Sequence, residues 1–168
     1  MKIIVNDTNI FIDMYSIGLL QSMCDLQFEI HTVDFVAAEL VDEEQKQAFN
    51  ELVGTGKIIV DSFSAEEVTE IVMDHSLVKG NLSIPDCSVC YYAKKHKVPM
   101  LTGDRRLRRH AEHLYIEVHG ILFLFDEMVA NSVIPPTMAA EKLEQLMTLN
   151  SRLPRAAIRE RIEKWRGR

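Results

Sequence analysis

Four acidic residues stand where separate segments of the chain pass from a strand-like run into a helix-like run. They are Asp7, Glu39, Asp86 and Asp104. Asp7 and Asp104 follow apolar runs that are typical of buried strands, and the carboxyl ends of parallel strands meet at one edge of a sheet. Carboxylates gathered there repel one another unless a divalent cation offsets their charge. The pattern therefore predicts metal-assisted chemistry.

The order of apolar patterns defines the expected fold. Short β-branched runs alternate with segments of helical periodicity, which predicts a parallel sheet with helices on both faces. We therefore expect an α/β fold of three layers, α/β/α, with a central parallel sheet of about five strands and additional C-terminal helices. The predicted strands cover residues 2–6, 28–33, 57–61, 98–102 and 115–118.

Helix signals fill the intervals between these strands. Ser64 with Glu67 forms a predicted capping box, and Pro85 suits the first turn of a helix. Gly80 belongs to the predicted loop between these two helices. The remaining helices are predicted at residues 10–23, 34–52, 105–113, 121–129 and 138–149.

The chain of 168 residues is long enough for one domain with a short addition. Pro135 and Pro136 interrupt the pattern, so we expect a main α/β domain at residues 1–132 and a helical extension at residues 133–168. Residues 152–168 hold seven Lys or Arg against two acids. This basic tail either docks as an amphipathic helix or binds RNA or an acidic segment of a partner.

Composition narrows the class of protein. The net charge of -6 argues against capture of nucleic acid by the whole surface, but it leaves room for a local basic patch. Three cysteines without a secretory signal indicate a reducing compartment. No apolar stretch is long enough to span a bilayer. We therefore expect a soluble cytoplasmic protein that does not enter a membrane.

The acidic motifs resemble those of PIN-domain nucleases. Asp7-Thr8-Asn9 after the first strand is similar to the opening signature of that family, and Thr102-Gly103-Asp104 after the fourth strand is similar to its last one. Glu39 in the second helix and Asp86 at the start of a later helix match the signatures between them. The resemblance covers roughly residues 1–130. The later segments V-H-G-I-L and R-L-P resemble a branch of the VapC-type toxins of toxin–antitoxin pairs.

The resemblance implies an endoribonuclease that depends on Mg²⁺ or Mn²⁺. By the match of motifs, the catalytic metal ligands are expected at Asp7, Glu39, Asp86 and Asp104. Glu43 is an alternative to Glu39, because it falls one helical turn further on the same face of the predicted helix at residues 34–52. Asn9 and Thr102 match positions that support the site through hydrogen bonds. The resemblance also implies an RNA substrate, an antitoxin protein as partner, and a homodimer.

Other interpretations of the same residues stay open at this point. Asp7 and Asp104 suit plain helix N-caps, and Asp86 suits the first turn of a helix. A non-catalytic PIN-like module that binds protein or RNA has the same fold. A phosphatase of the haloacid-dehalogenase type is disfavoured, because Asn9 stands where such an enzyme needs a second acid.

Other chemistry-bearing residues give weaker signals. Cys87 and Cys90 are three apart on one predicted helix and lack a second cysteine pair, so we expect them in the core. The six histidines lack metal-ligand spacing. The arginines after Asp104 either hold RNA phosphates or form a solvated helix face. They are Arg105, Arg106, Arg108 and Arg109.

Overall fold

The computed structural model describes residues 2–78 and 81–167. The predicted loop residue Gly80 and the last residue of the basic tail, Arg168, lie outside the described residues. The described chain forms one sheet of five parallel strands in the order β3-β2-β1-β4-β5. The strands are β1 Lys2–Asn6, β2 Phe28–Val33, β3 Ile58–Asp61, β4 Met100–Leu101 and β5 Val118–His119. The predicted parallel α/β fold is confirmed.

The strand order reverses between β1 and β4, and this reversal positions the acids. Val5 pairs with His31 of β2 on one side, while Asn6 pairs with Leu101 of β4 on the other. Chains leaving β1 and β4 turn to opposite faces of the sheet, which opens a crevice at their carboxyl ends. Asp7 and Asp104 follow these two strands directly.

Ten helices surround the sheet in the described part of the chain. The helices α1, α2, α4, α8 and α9 gather on one face, and α5, α6 and α7 gather on the other. The bounds are α1 Thr8–Ser16, α2 Leu20–Cys24, α3 Asp34–Ala37, α4 Glu43–Gly54, α5 Ala65–Leu77, α6 Ile84–His96, α7 Arg105–His113, α8 Ile121–Ala130, α9 Pro136–Leu149 and α10 Arg155–Trp165.

The predicted helix at residues 10–23 is wrong in its extent, because it is two helices. The backbone turns at Gly18, whose φ of +71° lies in the left-handed region that glycine adopts without steric cost. Its amide donates to the Tyr15 carbonyl at 2.9 Å, which closes the end of α1. The apolar periodicity continues across the turn, so it hid the break.

The predicted helix at residues 34–52 is also interrupted. It stops after Ala37, and α4 starts afresh with Asp42 as its N-cap, where the Gln45 amide donates to Asp42 Oδ1 at 3.0 Å. Glu39 therefore lies in the turn after α3 and not inside a helix. Glu43 begins α4, so it is not one turn further along the same helix, and that expectation is wrong.

Two predicted strands are shorter than expected. β4 contains only Met100 and Leu101, and β5 begins at Val118 instead of Tyr115. Tyr115 has φ +59°, which is incompatible with a strand, and its side chain is 97% exposed. The capping box of Ser64 and Glu67 is confirmed at the start of α5.

The C-terminal helices pack on the rest of the molecule. α9 buries its apolar stripe completely, and α10 docks Trp165 near Phe125 of α8. Arg161 of α10 donates to both carboxylate oxygens of Asp126, which adds a planar two-bond contact. The fully buried residues of α9 are Ala139, Ala140, Leu143 and Leu146. Within residues 2–78 and 81–167, no helix combines the length and the apolar character that crossing a bilayer requires.

Candidate active site

Asp7 lies at the centre of the acidic crevice. It ends β1 and caps α1, because its Oδ1 accepts a hydrogen bond from the Thr8 amide at 2.7 Å. Its Oδ2 accepts from the Thr102 hydroxyl at 2.8 Å and also from the Asn9 amide group. Only 4% of the residue is exposed. These three donors fill both acceptor directions of Oδ2 and leave one on Oδ1.

The carboxyl of Asp7 is difficult to ionise. Burial is the main cause that raises its pKa to about 6, and the negative charges of Asp86 and Glu39 raise it further. The hydrogen bonds from Thr102 and Thr8 act in the opposite direction, since they stabilise the ionised form. Asp86 and Glu39 are therefore electrostatic neighbours of Asp7. A cation beside these groups would relieve the repulsion.

Glu39 is joined to Thr8, the residue after Asp7, through a threonine hydroxyl. Thr8 Oγ1 donates a hydrogen bond to Glu39 Oε2, and Thr8 itself is 8% exposed. Glu39 lies in an exposed turn, so nothing else in its own segment fixes the carboxylate. This role of Thr8 could not be predicted from the sequence, because a contact between segments 31 residues apart leaves no local signal.

Asp86 is held by the helix that it opens. In α6 it forms a capping box with Ser83: the Ser83 amide donates to Asp86 Oδ2 at 2.8 Å, and the Asp86 amide donates to Ser83 Oγ at 3.2 Å. The capping box uses Oδ2 and fixes the rotamer. The first turn of α6 carries partial positive charge, which stabilises an ionised carboxylate.

Asp104 is joined to the crevice through Thr102. Its Oδ1 caps α7 by accepting from the amides of Arg106 at 2.7 Å and Leu107 at 2.9 Å. Its own amide donates to Thr102 Oγ1 at 3.0 Å, and that hydroxyl donates in turn to Asp7. The N-cap interpretation of Asp104 is thus confirmed, and so is that of Asp7. An N-cap and a site residue are compatible roles at these positions.

Asn9 and Gly103 bring the two strand ends together. The Gly103 amide donates to Asn9 Oδ1 at 2.7 Å, while the Asn9 amide group donates to Asp7. A Cβ atom on Gly103 would lie 3.0 Å from Asn9 Oδ1, so a side chain there would push Asn9 away. The hydrogen-bonding roles predicted for Asn9 and Thr102 are confirmed.

The chemistry of the four acids suits a hard cation, but their side chains are not arranged around one common point. All the acids offer oxygen ligands, which Mg²⁺ and Mn²⁺ prefer, and one of them is buried beside like charges. Among residues 2–78 and 81–167, however, no group of three or more His, Cys, Asp or Glu is placed to hold a metal ion. The carboxylates are thus neighbours without forming a complete coordination shell.

A groove of about 1100 Å³ lies between α5, α6 and α7. Arg106 and Arg109 of α7 line it together with Lys94 and Lys95 of α6. Arg106 is two residues from Asp104 and its amide donates to that carboxylate, but none of the four acids lines the groove. The four arginines are not equivalent, because Arg108 donates to the Val118 carbonyl at 3.1 Å and so supports β5.

Cys87, Cys90 and His31 are buried and make their contacts within the fold. Cys87 and Cys90 are free and buried, and burial raises the pKa of Cys87 to about 11, so their predicted place in the core is confirmed. His31 is bonded within the fold, with Nδ1 2.7 Å from Asp61 Oδ2 and 2.9 Å from the Tyr92 hydroxyl.

The fold and the crevice define a class of α/β protein whose functional groups meet where the order of parallel strands reverses. Within this class, the chain belongs to the PIN-domain family DUF3368, whose family model matches residues 3–166. That match includes all of α9 and α10. No curated protein sequence matches the chain.

Three solved structures are similar to the chain. A PilT N-terminus domain protein from the hyperthermophilic archaeon Sulfolobus solfataricus has 12% identity and a TM-score of 0.47, over 73% of this chain and 89% of that one. VapBC2 from Rickettsia felis, bound to a promoter DNA fragment, has 19% identity and a TM-score of 0.46, over 70% and 98%. FitAcB from Neisseria gonorrhoeae has 16% identity and a TM-score of 0.42, over 71% and 98%.

Proposed function

We propose that this protein is an endoribonuclease that hydrolyses RNA phosphodiester bonds with the aid of Mg²⁺ or Mn²⁺. The observation that carries the proposal is the buried carboxyl of Asp7, whose pKa is raised to about 6 by burial and by the charges of Asp86 and Glu39. Such a group is costly in an apo protein and favourable beside a cation. Membership of the PIN-domain family supports the proposal, since its members are generally nucleases.

The residues have separate roles in this proposal. Asp7, Glu39, Asp86 and Asp104 would hold the cation, either directly or through water. When bound, a divalent ion supplies charge neutralisation at the phosphodiester and makes water a better nucleophile. Asn9, Thr102 and Thr8 orient the acids through the hydrogen bonds described above, and this orientation sets metal affinity.

An RNA substrate is supported by the charges beside the crevice. Arg106 and Arg109 are exposed on α7, which starts at Asp104. Within the described residues, neither arginine forms an ion pair with a carboxylate, so both are available to phosphates. The net charge of -6 means that such binding depends on local clusters of cations and not on the surface as a whole.

The test is hydrolysis of a labelled single-stranded RNA with Mg²⁺ or Mn²⁺. We expect Asp7→Asn to lose at least about 100-fold in kcat, because one of the few ligands is lost. Asp25→Asn is the matched control, since Asp25 is an exposed acid that pairs with Lys57 away from the crevice. Equal cleavage by wild type and Asp7→Asn, or cleavage that persists in a chelator, would overturn the assignment.

An antitoxin partner and a homodimer form a second part of the proposal. Both rest on the motif resemblance to VapC-type toxins and on exposed apolar side chains of α5. Met73 is 61% exposed and Leu77 is 79% exposed, and Leu77 lines the groove between α5, α6 and α7. Light scattering of the purified protein tests the dimer, with Leu77→Glu expected to weaken it. Co-purification with the product of a neighbouring reading frame tests the antitoxin.

A non-catalytic PIN-like module is the other candidate function. The observation in its favour is that the described residues include no group of three acids or other ligands placed for a metal ion. Calorimetric titration with Mn²⁺ separates the two functions. Binding that weakens in Asp86→Asn supports the nuclease, whereas no binding, or binding unchanged in that variant, supports the module.

A further inference from the structure

The loop between α9 and α10 is fastened to the helix that starts at the acidic crevice. Asn150 caps the end of α9, and its Nδ2 donates to Asp13 Oδ2 of α1 at 2.9 Å. The same side chain accepts a hydrogen bond from the Arg152 amide, at 3.0 Å from Asn150 Oδ1. This second bond is a local turn closed by an asparagine side chain. Asn150 therefore fixes both the position of the loop and the direction of the chain at Arg152.

Asp13 connects this loop to the active-site face of α1. It is four residues after Asn9, so both side chains lie on one face of the helix, about one turn apart. Asn9 contacts Asp7 and Gly103 inside the crevice. The loop thus covers α1 immediately beyond the residues that hold Asp7.

Arg152 places a positive charge near Asp13 of α1. Its charge lowers the pKa of Asp13, which burial raises, so the guanidinium lies within electrostatic reach of α1. Arg152 is exposed, and among the described residues it has no ion pair within salt-bridge distance. Beyond the end of α1, Lys142 Nζ of α9 lies 3.8 Å from the position of a Cβ on Gly18. The C-terminal hairpin, formed by α9 and α10, therefore places one cation beside α1 and one beside the turn that follows it, on the side away from Arg106.

We propose that Arg152 binds a backbone phosphate of the RNA strand where that strand passes over α1, next to the cleaved bond. This inference rests on the proposed function. A strand that crosses the crevice meets Arg106 on the α7 side and Arg152 on the α1 side, so it is held on both sides of the acids. A guanidinium offers two parallel N–H donors to a phosphate, and Arg152 is exposed with no carboxylate within salt-bridge distance among the described residues, so its donors are available. The C-terminal hairpin thereby becomes part of the substrate site.

The experiment measures RNA binding separately from cleavage. An unstructured RNA oligonucleotide is titrated with Asp7→Asn, which is expected to bind without cutting, and with the double variants Asp7→Asn/Arg152→Gln and Asp7→Asn/Arg159→Gln. Arg159 is an exposed arginine of α10 and serves as the matched control. We expect Arg152→Gln to weaken binding about tenfold and to reduce the salt slope of log K by about 0.7, the value for one phosphate on a single strand. Arg152→Lys should recover most of the affinity.

Cleavage by single variants completes the test. In the otherwise wild-type protein, Arg152→Gln should raise KM by the same factor and leave kcat nearly unchanged, because the contact is made in the ground state and the transition state alike. Equal affinity and equal salt slope for the Arg152→Gln and Arg159→Gln variants would overturn the inference, even where RNA is cleaved. Binding that depends on Arg152 in a protein that never cleaves RNA would overturn the proposed function and leave the phosphate contact standing. Absence of RNA binding by every variant would overturn both.

Discussion

The Thr8 hydroxyl donates a hydrogen bond to Glu39 and thereby joins the start of α1 to the turn after α3. The same hydroxyl lies 3.4 Å from the Val36 carbonyl of α3. Thr8 is buried beside Asp7, whereas Glu39 is exposed on a turn. One buried hydroxyl therefore positions an acid that its own segment leaves free to rotate.

Replacement of Thr8 by valine tests this positioning. Valine keeps the shape and removes the hydroxyl, so Glu39 loses its anchor while Asp7 keeps its cap. We expect Mn²⁺ affinity to fall about 10- to 100-fold, as for other groups that orient a metal ligand. Calorimetric titration measures the change. Thr69→Val is the control, because the Thr69 hydroxyl bonds only to the Ala65 carbonyl on exposed α5. Similar Mn²⁺ affinities for both variants would contradict the role given to Thr8.

The raised pKa of Asp7 predicts a pH dependence of stability. The folded protein holds this proton up to a pKa of about 6, whereas the unfolded chain releases it near 3.8. Stability contributed by the protonated carboxyl is thus present below about 3.8 and is lost as the pH rises to about 6. The loss amounts to ~3 kcal/mol at pH 7. Urea denaturation in the presence of a chelator, from pH 4 to 8, measures it.

Asp7→Asn is the reference for that measurement, since asparagine also caps helices well and carries no charge. The free energy of unfolding of this variant, relative to wild type, should increase by ~2 kcal/mol between pH 4 and pH 7. The other carboxylates titrate in both proteins, so their effects cancel when the two unfolding free energies are subtracted. The remaining pH dependence belongs to Asp7. A difference that stays constant over this range would show that Asp7 ionises normally.

Gly103 gives a steric test of the crevice. Gly103→Ala places a Cβ 3.0 Å from Asn9 Oδ1, so Asn9 must move and its bond to Asp7 is weakened. We expect activity on RNA to fall at least about tenfold, with stability reduced by about 1 kcal/mol. Gly54→Ala is the control, because nothing lies within 4 Å of a Cβ at that position. Full activity of Gly103→Ala would contradict the tight contact with Asn9.

The parallel sheet could be predicted from the sequence because its signals are local. Apolar β-branched runs marked all five strands, and Ser64 with Glu67 marked the start of α5. The N-caps at Asp7 and Asp104 could be predicted for the same reason, since each cap bonds to the next few amides. The turn at Gly18 and the break after Ala37 could not be predicted, because the apolar periodicity continues through both positions.

The candidate site could be predicted as a set of residues but not as an arrangement. The motifs named the acids, and the reversal of strand order between β1 and β4 brings Asp7 and Asp104 to one crevice. The bond from Thr8 to Glu39 joins two distant segments, and local patterns do not encode such a contact. The position of Asn150 on α1 escaped prediction for the same reason.

The packing of α9 predicts that the C-terminal helices stabilise the whole molecule. Leu143 is fully buried, so Leu143→Ala should cost about 2–5 kcal/mol of unfolding free energy. Leu149 is 58% exposed at the end of the same helix, and Leu149→Ala should change stability by less than about 0.5 kcal/mol. A single denaturation transition monitored at Trp165 and by far-UV circular dichroism is expected for both. Separate transitions would show that the hairpin unfolds on its own.

The thiols predict slow reaction with alkylating reagents at pH 8. Burial raises the pKa of Cys24 to about 12 and that of Cys87 to about 11, and Cys90 shifts in the same direction. Hardly any thiolate is present at this pH, so the folded protein should react much more slowly than the urea-unfolded one. Mass spectrometry counts the modified sites. Rapid modification of Cys87 in the folded protein would contradict its place in the core.

The hydrogen bond between Asp13 and Asn150 joins residues 137 positions apart, so its two partners leave the ribosome at different times. At about 5–20 residues per second, a ribosome needs roughly 7–27 s to travel from one partner to the other. During that interval the nascent chain already carries the residues of β1 and α1 but has no hairpin to lay across them. A phosphate contact made by Arg152 is therefore among the last features that a newly made molecule acquires.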